Sequence, residues 1–171
     1  ERGAVPVVLL VHGAGTPAEV AFDVPYGDYS WMNHLARAGF DVFSMEMTGY
    51  GRSTRPLVMN DPCNLSAANQ QTLIPRTLSA PCEPSYPYDL TTSESDWHDL
   101  DAVVEYLRKL LGVERVSLVA WSLGGMRVGG YAARHPEKLE RIVLLAPVYP
   151  ANVAAPPASL PDPGLPMTTQ T

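Results

Sequence analysis

Proline placement decides where this chain can be regular. Seventeen of its 171 residues are proline, about twice the usual share of about 5%. Six fall between Pro56 and Pro87, and seven between Pro147 and Pro166. Proline fixes φ and lacks an N–H, so helix interiors and central strands exclude it. Those two stretches are therefore expected to be irregular, and the regular elements to lie in the remainder.

The remainder reads as alternating strands and helices. Pro6 to Val11 is an unbroken, β-branched-rich apolar run stopped by His12-Gly13-Ala14-Gly15, which suits a strand buried on both faces. Ser30 to Ala38 predicts a short helix with Gly39 beyond its end, and Phe40 to Met45 a second strand closing at Thr48-Gly49-Tyr50-Gly51. From Ser95 to Leu111 the helical period is clearest. Trp97, Leu100, Val103, Val104, Leu107, Leu110 and Leu111 share one stripe, Ser93 with Asp96 offers a capping box, and Gly112 is the stop. Val116 to Ala120 predicts a strand, Leu123 to His135 a helix closed by Pro136, and Ile142 to Ala146 a further strand. That order implies an α/β fold with a parallel sheet and helices on both faces.

Composition narrows the function. The formal charge is −6, with 46% hydrophobic residues, enough apolar surface to offset the entropy of ordering one domain. An acidic chain has no surplus of cations to displace phosphate counterions, so no nucleic-acid partner is expected. The longest apolar runs fall far below the roughly 18 residues that cross a bilayer, so no membrane span is expected.

The chemistry concentrates at Ala120-Trp121-Ser122-Leu123-Gly124-Gly125, which joins a strand to a helix. A serine at that corner sits on a tight turn, with its hydroxyl pushed beyond the carboxyl end of the sheet. The helix beginning there aims its unpaired N–H groups and dipole at any negative charge that develops. Ser122 is the candidate nucleophile, and the amides of Leu123 and Ala14 are candidate oxyanion donors. The plainer reading makes Ser122 only a helix N-cap.

Taken in order, Val8-Leu9-Leu10-Val11-His12-Gly13, Met47-Thr48-Gly49-Tyr50-Gly51-Arg52-Ser53 and Ala120-Trp121-Ser122-Leu123-Gly124-Gly125 resemble the α/β-hydrolase fold superfamily. The resemblance covers Pro6 to Pro147 and departs in one small respect, Ala120 standing where the elbow has its first glycine. It implies that Ser122 is the nucleophile of a serine hydrolase of carboxylic esters or related acyl bonds, working through an acyl-enzyme, with a small-molecule ester-type substrate. It implies also that His12 shapes the turn rather than serving as a base. Glu46 would brace the turn that follows it by pairing with Arg52; service as an alternative triad acid is the other reading. Trp121 either lines the pocket or packs beneath the elbow.

In the superfamily the acid and then the histidine follow the nucleophile. After Ser122 the histidine is His135, which a helix of that length places about 18 Å away at 1.5 Å per residue. His34 and His98 lie on flanking helices, and Asp162, the one carboxylate after Glu140, lies in the proline-rich tail. The resemblance thus implies that the catalytic histidine and acid come from chain beyond residue 171, or from a companion polypeptide. The expected organisation is a partial hydrolase core over residues 1–147, with an insertion at 53–92 over the site, and a Pro-rich linker or start of a cap segment at 148–171. A non-catalytic small-molecule binding protein or receptor on the same fold is the alternative.

About forty residues separate Arg52 from Thr92, and loops that long without secondary structure are usually functional. This one leaves the sheet edge that carries Ser122, so a pocket wall or lid is expected. Cys63 and Cys82, the only cysteines, both lie inside it. A disulfide between them would stabilise the loop by roughly 3 kcal/mol in the chain-entropy model and would imply a secreted or periplasmic protein. Asn64-Leu65-Ser66 is formally a glycosylation sequon. Two cysteines without nearby histidines do not make a zinc site, so neither metal nor cofactor is expected. Gly13-Ala14-Gly15 formally opens a dinucleotide fingerprint. That motif needs a helix at its second glycine and an acid about 20 residues on; Pro25 and Gly27 interrupt the first, and Glu46 comes too late for the second.

Overall fold

A computed structural model describes residues 5–148; the expected linker, apart from Val148, and Asp162 lie outside them. Four strands form one parallel sheet: β1 (Val7–Val11), β2 (Asp41–Met45), β3 (Val116–Trp121) and β4 (Leu139–Leu145), in the order β2-β1-β3-β4. Between β1 and β2 run α1 (Ala18–Phe22) and α2 (Trp31–Arg37). Between β2 and β3 run α3 (Ala67–Leu73) and α4 (Ser93–Leu111), and α5 (Leu123–Arg134) joins β3 to β4.

The unbroken apolar run of β1 follows from its central place. All five of its residues are buried. Val7, Leu9 and Val11 meet Leu100, Val104 and Leu107 of α4 and Val128 and Tyr131 of α5 in one core. The alternate residues Val8 and Leu10 pack with Ala18 and Phe22 of α1, and with Met32 and Leu35 of α2, on the other face. The period-2 geometry of a strand thus feeds two apolar layers from one segment.

Helix α4 differs in detail from its sequence reading. Its capping box is Thr92 with Ser95, not Ser93 with Asp96. Thr92 Oγ1 accepts from the Ser95 amide at 3.2 Å, and Ser95 Oγ accepts from the Thr92 amide at 2.9 Å. Thr92 has the extended backbone a cap requires, and Asp96 is engaged elsewhere. Leu110 is exposed, since the stripe turns away from the sheet in the last turn. Strand β4 begins three residues before its expected start, and Ile142 to Leu145 lie along it with their apolar side chains about half exposed.

The proline-rich segment 53–92 is not featureless. Two single 3₁₀ turns and α3 occupy it, and the Cys63–Cys82 disulfide closes it with the two Cα atoms 5.3 Å apart. Its centre is polar. Buried Gln70 donates to the carbonyls of Cys63, Leu65 and Cys82 and accepts from the Cys82 amide. One side chain thereby bonds to the backbone of both segments that the cystine joins.

Candidate active site

Chain order and strand order together decide where a site can form. The connection from β1 leads to β2 on one side, while β3 returns on the other, so the crevice outside the carboxyl ends of β1 and β3 is a topological switch point. Val11 aligns with Met45 and with Ala120. The turns at His12–Gly15, Glu46–Gly51 and Trp121–Ser122 therefore leave one edge of the sheet together.

Ser122 occupies the corner between β3 and α5 with φ 54° and ψ −122°, a left-handed backbone rare outside glycine. Its amide donates to the Leu145 carbonyl at 3.0 Å, and its carbonyl accepts from the amides of Gly125 and Val148. It stands at the N-cap position, yet its side chain makes no cap hydrogen bond. The close approach is made by glycines. A Cβ on Gly13 would lie 2.9 Å from Ser122 Cβ, and one on Gly124 would lie 2.6 Å from the Val11 carbonyl oxygen. The turn carrying Ala14 thus rests against Ser122, and Leu123 is the first residue of α5. Among the described residues, neither amide donates to a protein acceptor outside its own element.

His12 is fully buried. Its Nε2 accepts from the Met47 amide at 3.2 Å, which leaves the proton on Nδ1 to donate to the Gly13 carbonyl at 2.7 Å. Burial, reinforced by the Arg127 charge, holds the imidazole below the usual histidine range. The 3.7 Å approach of Glu46 to Nε2 is accordingly a contact with a neutral ring.

His12 therefore stabilises the fold fully above its unfolded pKa of 6.5. That contribution is lost as pH falls through the folded value, because the unfolded chain takes up the proton first. Urea midpoints should show the wild type losing its advantage over His12→Gln between pH 7.5 and pH 5. The slope is at most about 1.4 kcal/mol per pH unit; a constant gap would mean that His12 is not held neutral.

Glu46 does not pair with Arg52. Its carboxylate accepts from the first amides of α1, Ala18 at 3.0 Å and Glu19 at 3.5 Å, while Arg52 turns outward to Glu19. Unpaired helix-end N–H groups beside a half-buried carboxylate outcompete an exposed guanidinium. The Glu46 carboxylate also lies against Gly51 of the following turn, where a Cβ would collide with it. Trp121 packs against the α1 and α2 side of the sheet. His34 and His98 are exposed, and His135 caps the far end of α5 beside Glu137.

Two functional-looking residues escaped sequence reading. Arg127 is 8% exposed on the inner face of α5, and its Nε lies 2.8 Å from Asp96 of α4. Its Nη1 reaches the carbonyls of His12 at 3.3 Å and Gly13 at 3.5 Å. The available signal was an arginine interrupting the stripe Gly124, Val128, Tyr131. Nearby, the Tyr50 ring lies 4.6 Å from that of His12, and its hydroxyl accepts from the Gly15 amide.

A concavity of ≈ 930 Å³ lies at the opposite end of the sheet, lined by Pro6, Val8, Phe40, Val113 and Arg141 among others. It lies away from the Ser122 corner, which is not in its lining. Among the described residues no cluster of three or more His, Cys, Asp or Glu could hold a metal, and no helix is long and apolar enough to cross a membrane.

A family model described as alpha/beta hydrolase fold matches residues 6–169. An abhydrolase domain-containing protein, abhd-5.2 of Caenorhabditis elegans, is 26% identical over 142 residues, covering 82% of this chain and 23% of the relative. Two solved structures share the fold at 18% identity. One, from work on carboxylesterases of the thaumarchaeon Nitrososphaera gargenis, superposes with TM-score 0.55 over 84% of this chain and 38% of its own. An extracellular α/β-hydrolase of a Paenibacillus species does so with TM-score 0.51 over 85% and 42%. The chain thus spans less than half the length of these proteins. The cystine and the extracellular neighbour are compatible with secretion.

Proposed function

Because the chain belongs to the alpha/beta hydrolase fold family, we propose that it is the Ser122-bearing part of a serine hydrolase that cleaves carboxylic esters or related acyl bonds. Ser122 attacks the acyl carbon and forms an acyl-enzyme, and the amides of Ala14 and Leu123 hold the oxyanion. The observation that carries this reading is the strained backbone of Ser122 together with a hydroxyl that does not serve as a cap. Strain at a non-glycine corner persists only where the surroundings over-determine it, and such corners cluster at active sites.

The histidine and acid that activate Ser122 come from polypeptide beyond residue 171, on the same chain or a companion. The half-exposed apolar run Ile142 to Leu145 on β4 supports this, because an edge of that kind is ordinarily paired or covered. The insertion at 53–92 forms a wall of the substrate pocket. It is tied to the turn beside the site, where Arg55 donates to the Gly49 carbonyl and Met59 packs against Gly49. A small-molecule ester and a secreted or periplasmic setting complete the reading, the latter supported by the cystine.

A fluorophosphonate probe tests it on the full-length protein. Stoichiometric labelling, mapped to Ser122 by peptide mass, is expected. A folded protein that stays unlabelled would instead be a binding protein on this fold.

A further inference from the structure

A charge at position 127 needs a reason. Gly124, Gly125, Arg127, Val128 and Tyr131 form the buried face of α5, and an arginine there gives up hydration that a leucine would not have had. Asp96 compensates the charge at 2.8 Å, but an apolar pair would have filled the space without that cost. What an apolar pair would lack is the remaining contact, the fork of Nη1 onto the carbonyls of His12 and Gly13.

The Gly13 carbonyl and the Ala14 N–H belong to one planar peptide unit and point in opposite directions. A donor that fixes the carbonyl therefore fixes where the N–H aims. Two donors hold this carbonyl, His12 Nδ1 at 2.7 Å and Arg127 Nη1 at 3.5 Å. His12 is itself held by the Met47 amide. On the far side of the turn, the Tyr50 hydroxyl takes the Gly15 amide, and the Arg127 guanidinium lies 5.8 Å from the Tyr50 ring centroid. A cation on a peptide carbonyl also polarises that peptide and strengthens its N–H as a donor.

We propose that Arg127, paired with Asp96, is a positioning residue that locks and polarises the Gly13–Ala14 peptide, so that the Ala14 N–H meets the oxyanion formed when Ser122 attacks an ester. This rests on the serine-hydrolase reading. Arg127 acts through the peptide and touches no substrate. Its effect falls on the transition state, where charge develops on the carbonyl oxygen, and little on ground-state binding.

The test uses the full-length protein with a p-nitrophenyl ester and a boronic acid that mimics the tetrahedral intermediate. Arg127→Met alone leaves the partly buried Asp96 carboxylate unpaired, so it is combined with Asp96→Leu, which removes both charges. The double variant is expected to lose about 10- to 100-fold in kcat with KM within about twofold, and boronate affinity should fall in parallel. Arg127→Lys keeps the charge opposite Asp96 but has a single nitrogen where Nε takes the carboxylate and Nη1 the carbonyls; about a tenfold loss is expected, and this variant carries the test if the double variant does not fold. A labelled, active wild type whose folded variants keep wild-type kcat and boronate affinity overturns this inference alone. A rise in KM at unchanged kcat also overturns it, because that would place Arg127 in substrate binding. A folded wild type that hydrolyses no ester and leaves Ser122 unlabelled overturns the hydrolase reading, and this inference with it.

Discussion

Ser122→Ala is expected to lower kcat on p-nitrophenyl esters by about 10⁴-fold or more, the scale on which removal of a nucleophile acts, while changing the thermal midpoint little. The hydroxyl makes no cap bond whose loss would destabilise α5, and alanine keeps the Cβ that already fits beside Gly13. Ser122→Gly separates function from stability further. A residue at φ 54° stores strain of order 1–3 kcal/mol, which glycine does not incur. The glycine variant should therefore be equally inactive yet more stable than Ser122→Ala by about 1 kcal/mol, read from urea unfolding. Retained turnover in either variant would remove Ser122 from its role. A glycine variant less stable than the alanine one would show that the corner is not strained.

The legible part of this fold is the part governed by apolar period. The run Val7–Val11 is continuous because β1 has two layers to feed, and the stripe from Leu100 to Leu107 marks α4, which covers one face together with α5. Helix α1, with five residues, is too short to display a period, and what holds its first turn is Glu46, 28 residues away from Ala18. The pairing of Glu46 with Arg52 comes from the family resemblance, but unpaired amides at a helix start take the carboxylate. Helix α3 escaped notice because the centre of its loop is Gln70, whose amide works through hydrogen bonds that hydrophobicity does not register.

The site divides along the same line. Ser122, Gly13 and Gly124 were readable because strand–turn–helix geometry fixes residue size locally. The Asp96–Arg127 pair joins two helices 31 residues apart in sequence, and its signal was a charge out of phase. Asp96 stands near a helix start, where sequence alone suggests a capping role, but its carboxylate faces Arg127 on the neighbouring helix.

The second large effect is expected at Gly124, where an alanine should destabilise the protein by about 3 kcal/mol and lower kcat together with stability. Its Cβ would sit 2.6 Å from the Val11 carbonyl oxygen and 2.7 Å from that of His12. Both are backbone atoms of the central strand and its turn, with no rotamer by which to yield, so α5 must move away from β1. That movement displaces the helix start under Ser122 and the His12 carbonyl to which Arg127 is bonded, hence the joint loss. Gly129 supplies the control on the same helix. A Cβ there meets nothing within 4 Å, so Gly129→Ala should stabilise the protein by about 0.5–1 kcal/mol through lower unfolded-state entropy, with kcat unchanged. Urea unfolding and ester turnover on both variants decide the matter. If Gly124→Ala proves as stable as Gly129→Ala, then α5 does not press on β1, and the close approach that sets Ser122 beside Ala14 is not what this helix provides.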